Sequence, residues 1–236
     1  MRPFLTSIRH LTTSSGFRFE LLTPQHQNSV IEFFCKHHVT SDPFWLAAGL
    51  KEPMIRPLVS LLYPRLTKHP VSFAVFSPEN EIIGLKQNDI KTRDDENIDV
   101  PLLLLPRLNW KVISLFEAFG RLESDMFYLV PEVKKWFQFN VCCVRSDYWR
   151  KGLATEMWNH SLKLANEHGC GGAYAIASNY KSQNGLARMG FSAGKLIKYE
   201  NFFDNVLFSQ KWRKYFGDKV AVENSEYIKV MVKTWY

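Results

Sequence analysis

The sequence predicts one α/β (α+β) domain, and three stretches carry the prediction. Residues 139–191 read as strand, turn, helix, strand, helix: an apolar run at 139–144, a basic turn, an amphipathic segment stopping at Gly169, an apolar run at 173–177 and a second helical segment. Residues 71–76 and 81–85 are apolar runs around Ser77, Pro78, Glu79 and Asn80, which is a hairpin signal. From Tyr227 to Trp235 apolar and polar residues alternate, as in a half-buried final strand. A chain of 236 residues suits a single domain with a full core.

Composition removes several classes of function. Lys and Arg number 30 against 23 Asp and Glu, but the excess is spread along the chain. That suits solubility and an anionic cofactor, whereas nucleic-acid binding calls for a denser patch. Cys35, Cys142, Cys143 and Cys170 have neither metal-ligand spacing nor a disulfide framework, so reduced thiols and no metal are expected. Adjacent Cys142 and Cys143 would point to opposite faces of their strand. The longest apolar run, residues 101–106, is too short to span a bilayer.

In chain order, residues 1–16 hold Arg2, Arg9 and His10, many hydroxyls and no acid, with Phe4, Leu5, Ile8 and Leu11 on one helical face. This composition fits a mitochondrial transit peptide, with Arg9-His10-Leu11 similar to the Arg-x-Leu pattern before a cleavage point; a disordered tail is the other reading. The globular pattern begins at Phe17 with a short strand over 17–22. Thr23-Pro24 then opens a helix through Val30, Ile31, Phe34 and His38. His38 lies on the apolar stripe, where a partly buried, hydrogen-bonded histidine is expected rather than a ligand or catalyst.

Pro43 forces Asp42 out of the helical region and fixes its carboxylate at a loop-to-helix junction, where it caps the helix or serves chemistry. Leu46, Leu50, Met54, Leu58, Leu61 and Leu62 suggest helices interrupted by Pro53 and Pro57. Residues 86–99 are polar and read as a strand end running into a solvated loop. Residues 106–136 turn helical, with Val112, Phe116 and Phe119 on one face.

The turn before the long helix holds the clearest chemistry. Arg150, Lys151, Gly152, Leu153 and Ala154 stand where strand gives way to helix, so backbone N–H groups point outward together. Gly152 permits close approach, and the two cations attract an anion such as a pyrophosphate. The helix buries Leu153, Met157 and Leu164, with Ala154, Trp158 and Ala165 beside them. On the second helical segment Ser182 reads as the opening cap, close to Ser178 and Tyr180.

Trp149-Arg150-Lys151-Gly152-Leu153-Ala154, closed by Met189-Gly190-Phe191, resembles the Q/R-x-x-G-x-G/A motif and the Gly-Phe ending of the GNAT superfamily of N-acetyltransferases. The departure is Trp149, where the motif has Gln or Arg. Ser41-Asp42-Pro43-Phe44 resembles the Asp-Glu-Pro-Leu motif of the insect-type arylalkylamine branch, with Asp in place of the Glu proposed as base. Ser178 and Ser182 match the offsets of that branch's serines from Leu-Gly-Phe. Leu186 stands where many other members carry a thiolate-protonating Tyr.

The resemblance implies a mixed, mostly antiparallel sheet splayed between strands 4 and 5 and flanked by helices. It implies acetyl-CoA as co-substrate, held by Cys143, Val144, Trp149, Arg150, Lys151, Gly152, Leu153, Ala154 and Thr155. Asp42, or a water, is the implied base, with Ser178 and Ser182 as proton-relay or leaving-thiolate groups. The expected partner is a small-molecule amine, acted on by a monomeric N-acyltransferase with no nucleic acid or membrane partner, in the mitochondrial matrix or cytoplasm. The alternatives are an acyl-CoA-binding protein of this fold with lost or altered catalysis, or a different acyl donor or acceptor.

Overall fold

The computed structural model describes residues 11–12, 16–95, 109–204, 206–216 and 225–235. The expected leader therefore lies outside the described residues, except that Leu11 and Thr12 pair with Phe19 and Arg18 at a sheet edge. The apolar run 101–106 also lies outside them.

Seven strands follow: β1 (Arg18–Leu21), β2 (Phe73–Phe76), β3 (Ile82–Thr92), β4 (Lys135–Val144), β5 (Gly172–Ala177), β6 (Ser192–Lys198) and β7 (Tyr227–Thr234). With Leu11–Thr12 at one edge they form a single sheet ordered β1, β2, β3, β4, β5, β7, β6. Only β4 and β5 run parallel. The helices are α1 (Gln27–Phe33), α2 (Pro43–Ala47), α3 (Glu52–Leu66), α4 (Trp110–Leu129), α5 (Leu153–Glu167), α6 (Tyr180–Arg188), α7 (Tyr199–Phe202) and α8 (Ser209–Phe216).

Strand alternation sorts the core into two layers. Ala74, Phe76, Leu85, Cys143 and Val230 pack against α1 to α4 and α7. Phe73, Val75, Ile83, Phe137, Phe139, Ala173 and Met231 pack against α5 and Leu186 of α6. Successive side chains point to opposite faces, so this interleaving is the period of a sheet buried on both sides. Cys142 and Cys143 obey it: the first packs in the α5 layer and the second in the other.

The parallel pairing runs only from Trp136↔Gly172 to Phe139↔Ala175. Beyond it β4 continues on β3 as far as Val144, and β5 continues on β7 as far as Ala177. The divergence has a local cause. Gln87 pairs with Val141 and Asn88 with Phe139, so Asn140 is an extra residue, and such a bulge bends the strand that carries it. The splay expected between strands 4 and 5 therefore begins immediately after Phe139.

Several boundaries differ from the sequence reading. Residues 86–92 are not a solvated loop: β3 extends to Thr92 and buries Lys86, Gln87 and Asn88. The Asn88 side-chain nitrogen donates to Val71 O and Ser161 Oγ, and these two bonds hold the polar residue in the core. Pro53 and Pro57 do not interrupt a helix, since both lie within α3. Pro53 falls in the first turn, where no N–H is needed, and buried Ile55 before Pro57 and Leu58 and Tyr63 after it anchor the helix. Helical structure in the fourth segment spans Trp110–Leu129, and Trp136 belongs to β4.

Candidate active site

The turn before α5 is built from two left-handed residues. Gly152 caps the helix at φ +81, and Arg150 sits at φ +61, uncommon for a residue with a side chain. The helix ladder starts with Glu156 N–H donating to Gly152 O at 3.1 Å, so the N–H groups of Leu153, Ala154 and Thr155 lie ahead of it. Trp149, the departure from the motif, pins this turn: its indole N–H donates to Val144 O at 2.7 Å. Arg145 braces the loop below by gripping Asp147 through two bonds, 2.8 and 3.0 Å, and Glu81 through one of 2.8 Å. Lys181 lies 5.7 Å from the exposed Trp149 ring.

A cavity of about 780 Å³ opens from this turn and passes into the gap between β4 and β5. Trp149, Arg150, Ala154 and Trp158 line its α5 side, and residues 140–144 and 176–178 line the gap itself. On the far side it is walled by Phe34, His38, Asp42, Trp45, Phe116 and Phe119. Both layers of the molecule thus reach one space through the splay.

Of the residues expected from the sequence, the structure brings together Asp42, Ser178, Ser182, Cys143, Val144, Trp149, Arg150 and Ala154 around this cavity. Lys151, Gly152, Leu153 and Thr155 are outside its lining. Leu153 turns its side chain into the core, leaving its backbone N–H to the turn, while Lys151, Gly152 and Thr155 are exposed.

Asp42 is both a cap and a cavity residue. Its Oδ1 accepts from Phe44 N–H at 3.0 Å and Trp45 N–H at 3.1 Å, starting α2. Its Oδ2 accepts from the Asn179 side chain at 2.8 Å. Asn179, not Ser182, caps α6: its Oδ1 accepts from Ser182 N–H at 3.0 Å. An Asn in extended backbone satisfies that third N–H better than a hydroxyl already inside the first turn. The Ser182 hydroxyl donates instead to Asn179 O at 2.9 Å. The Ser178 carbonyl accepts from the Tyr199 hydroxyl.

His38 ends the first helix in a π turn, packed between Phe34 and Trp45 with ring centroids 4.8 and 5.4 Å away. Burial lowers its pKa, with Asp42 opposing, so the imidazole favours its neutral form. Burial likewise pushes the Cys142 thiol up to about 11 and the Cys143 thiol higher still, which keeps both inert at neutral pH.

Two residues of the site escaped sequence reasoning. Asn179 had a signal, since Asn ahead of a helical run is a cap signature. Lys86 had only its oddity, a lone cation following Ile82, Ile83 and Leu85 in β3. It is 1% exposed, its Nζ donates to Gln87 O at 3.2 Å, and it lies 4.4 Å over the Phe139 ring.

Comparison with known proteins agrees with this geometry. Residues 118–191, from α4 to the Gly-Phe ending, match the model of the acetyltransferase (GNAT) family. That match takes in about a third of the chain. Its fold is similar to that of arylalkylamine N-acetyltransferase 2 from Aedes aegypti, with 23% identity, 92% of this chain and 98% of that chain covered and a TM-score of 0.71. A putative arylalkylamine N-acetyltransferase 7 from the same mosquito gives 17%, 92%, 87% and 0.73. The Drosophila melanogaster polyamine N-acetyltransferase, which forms N-acetylagmatine, gives 12%, 93%, 100% and 0.71. Among the described residues, no helix is long and apolar enough to cross a membrane.

Proposed function

We propose that this protein is an acetyl-CoA-dependent N-acetyltransferase acting on a small primary amine, foremost an arylalkylamine. The observation that carries the reading is the continuous cavity through the β4–β5 gap, with the anion-binding turn at one end and Asp42 among aromatic residues at the other. The turn before α5 takes the pyrophosphate on the N–H groups of Leu153, Ala154 and Thr155, with Arg150 and Lys151 adding attraction. Beyond Phe139 the β4 edge facing the gap is unpaired by β5, which leaves backbone around Cys143 and Val144 for the thioester and for the oxyanion formed on attack.

The amine attacks from the Asp42 side. Only its neutral form has a lone pair to give, so Asp42, directly or through a water, removes the proton. One carboxylate oxygen is committed to Phe44 and Trp45, which leaves Oδ2 as the working atom. Ser178 and Ser182 lie on the wall by which the thiolate leaves and relay protons there. Trp45, Phe116 and Phe119 form the ring-binding wall.

A second reading of the acceptor rests on Asp89 and Glu123, which also line the cavity, with Lys91 at 3.0 and 4.0 Å from them. Carboxylates on this wall favour an acceptor with a second cationic group, a polyamine being the class named for the Drosophila relative. Thiol release from acetyl-CoA, measured for the full chain with arylalkylamines, agmatine, polyamines and amino acids, tests both. Turnover that peaks on an aromatic amine and collapses in Asp42→Asn is the expected result. Acetyl-CoA binding without turnover on any amine overturns the catalytic reading; absence of binding overturns the cofactor as well.

A further inference from the structure

Lys86 is the group in the cavity wall that the reaction as described does not use. Its ammonium is buried, and among the described residues no carboxylate lies within ion-pair distance of it. One carbonyl oxygen and one aromatic face are the contacts that hold it. An uncompensated buried charge is costly, and neighbouring Ile83 and Leu85 show that apolar side chains fill this strand readily. Packing does not explain a lysine here.

Its position does. Lys86 pairs with Cys142 across β3 and β4, on the face that carries α5. The ring beneath its Nζ is Phe139, the last β4 residue still paired to β5. The ammonium therefore sits at the start of the splay, on the side of the sheet from which the cofactor turn rises, and it lines the cavity.

The residues assigned above to the leaving thiolate do not themselves supply a proton. Leu186 is apolar and buried, and the Ser182 hydroxyl is engaged with Asn179 O. A neutral hydroxyl passes a proton along but does not supply one on balance. We propose that Lys86 is a catalytic residue which gives its proton to the coenzyme A sulfur as the thioester breaks; this rests on the acetyl-transfer reading above. In that step the amine nitrogen forms the C–N bond and the C–S bonding pair moves to sulfur. A proton passes from Nζ to sulfur, directly or through Ser178 or Ser182. Lys86 is left as a neutral amine and regains its proton from water, while Asp42 sheds to water the proton it took from the amine.

Burial supports the assignment by pulling the Lys86 pKa down to about 7; Cys142 opposes the shift, and its thiol is itself held protonated. An ordinary thiol has a pKa of about 8.5, so transfer to the thiolate runs downhill.

The test uses the full chain and two variants, Lys86→Met and Lys86→Arg, with two acyl donors. One donor is acetyl-CoA; the other is the acetyl thioester of a nitro-substituted aromatic thiol, whose thiolate departs without a proton. Both variants should lose about 10²-fold or more in kcat with acetyl-CoA, the usual range for removing a general acid. The loss with the activated thioester should be at least about tenfold smaller. The limb of the wild-type kcat profile near pH 7 should vanish in both variants, and coenzyme A affinity by calorimetry should be retained.

Equal losses with both donors would make Lys86 a shaping residue and overturn the proposal. So would full turnover by Lys86→Met, or rescue by Lys86→Arg, whose guanidinium keeps its charge but does not release a proton. If the wild type acetylates no amine, the acetyl-transfer reading falls first and this one with it. Wild-type turnover with an unaffected variant removes Lys86 alone.

Discussion

The Asn179 amide nitrogen lies 2.8 Å from Asp42 Oδ2, joining residues 137 positions apart. The amide cannot flip without loss, because its Oδ1 is already accepting from Ser182 N–H. Two helix caps thereby fix each other: Asn179 starts α6, Asp42 starts α2, and their contact aims the carboxylate at the gap between β4 and β5.

Removing that contact should disturb stability and the amine step together. Asn179→Ala loses a cap, about 1 kcal/mol, and strands one hydrogen bond to a charged acceptor, about 1.5–3 kcal/mol. Turnover with saturating acetyl-CoA should fall about tenfold or more, at roughly 1.4 kcal/mol per decade, while coenzyme A affinity holds. Asn179→Asp keeps an acceptor for Ser182 N–H but sets two carboxylates together, so it should regain the cap yet stay below the wild type in both melting point and turnover. Identical melting and kinetics in the alanine variant would show that Asp42 is placed by α2 alone.

Lys86 should leave a mark on stability as well as on rate. Its folded pKa of about 7 is below the unfolded value of about 10.4, so between these pH values the unfolded chain binds the extra proton. Stability should therefore climb from pH 7 to pH 10 on this account and be lower below it. The full effect is of the order of several kcal/mol at 1.36 kcal/mol per pKa unit. Lys86→Met should be more stable than the wild type at pH 7, with the gap closing towards pH 10. Denaturant titrations at the two pH values measure this; a destabilised Met variant at pH 7 would mean the ammonium is well compensated.

Much of this was legible in the sequence because the pattern was regular. The strand, turn, helix, strand, helix unit follows hydrophobic period and one glycine, and the structure keeps that order, with the first strand starting earlier, at Lys135. What was lost was long-range. Residues 86–92 read as solvated because polarity is the only local signal, whereas Asn88 reaches Val71 O and Ser161 on other elements. The Asp42–Asn179 contact and the bulge at Asn140 depend on strand register, which no local window contains. Ser182 looked like the cap of α6 because serine is a common one; Asn179, three residues earlier, was the better fit.

Gly185 tests how α5 and α6 hold the cofactor wall. A methyl group added there would lie 2.2 and 2.5 Å from ring carbons of Trp158, a residue lining the cavity. The helix tolerates Ala on propensity grounds, gaining up to about 1 kcal/mol over Gly. Overpacking works the other way, typically about 1–3 kcal/mol, and the large rigid indole has little room to yield. Gly185→Ala should lower the melting point and weaken acetyl-CoA binding as Trp158 shifts. Gly185→Ala combined with Trp158→Leu should recover part of the stability. A stabilised single variant would show that the indole moves freely.

His160 on α5 should account for part of the acid sensitivity. Its ring packs edge-on against Phe19 and Phe73, with centroids 5.4 and 4.8 Å away. Burial first and Lys163 second pull its pKa down to about 4. The unfolded value is about 6.5, so between pH 6.5 and pH 4 the unfolded chain takes up a proton that the folded chain refuses. Stability is thus present above pH 6.5 and is lost as the pH falls towards 4, by at most about 3.5 kcal/mol at 1.36 kcal/mol per unit. Asp95 and Asp147, whose carboxyls are held below their usual range by bonds to Thr92 and Arg145, add acid limbs of their own. Those limbs persist in His160→Phe, which keeps an aromatic ring in the slot. Urea midpoints at pH 7 and pH 4.5 should therefore converge more closely in that variant than in the wild type. Parallel losses in the two proteins would mean that the imidazole reaches water and protonates in place.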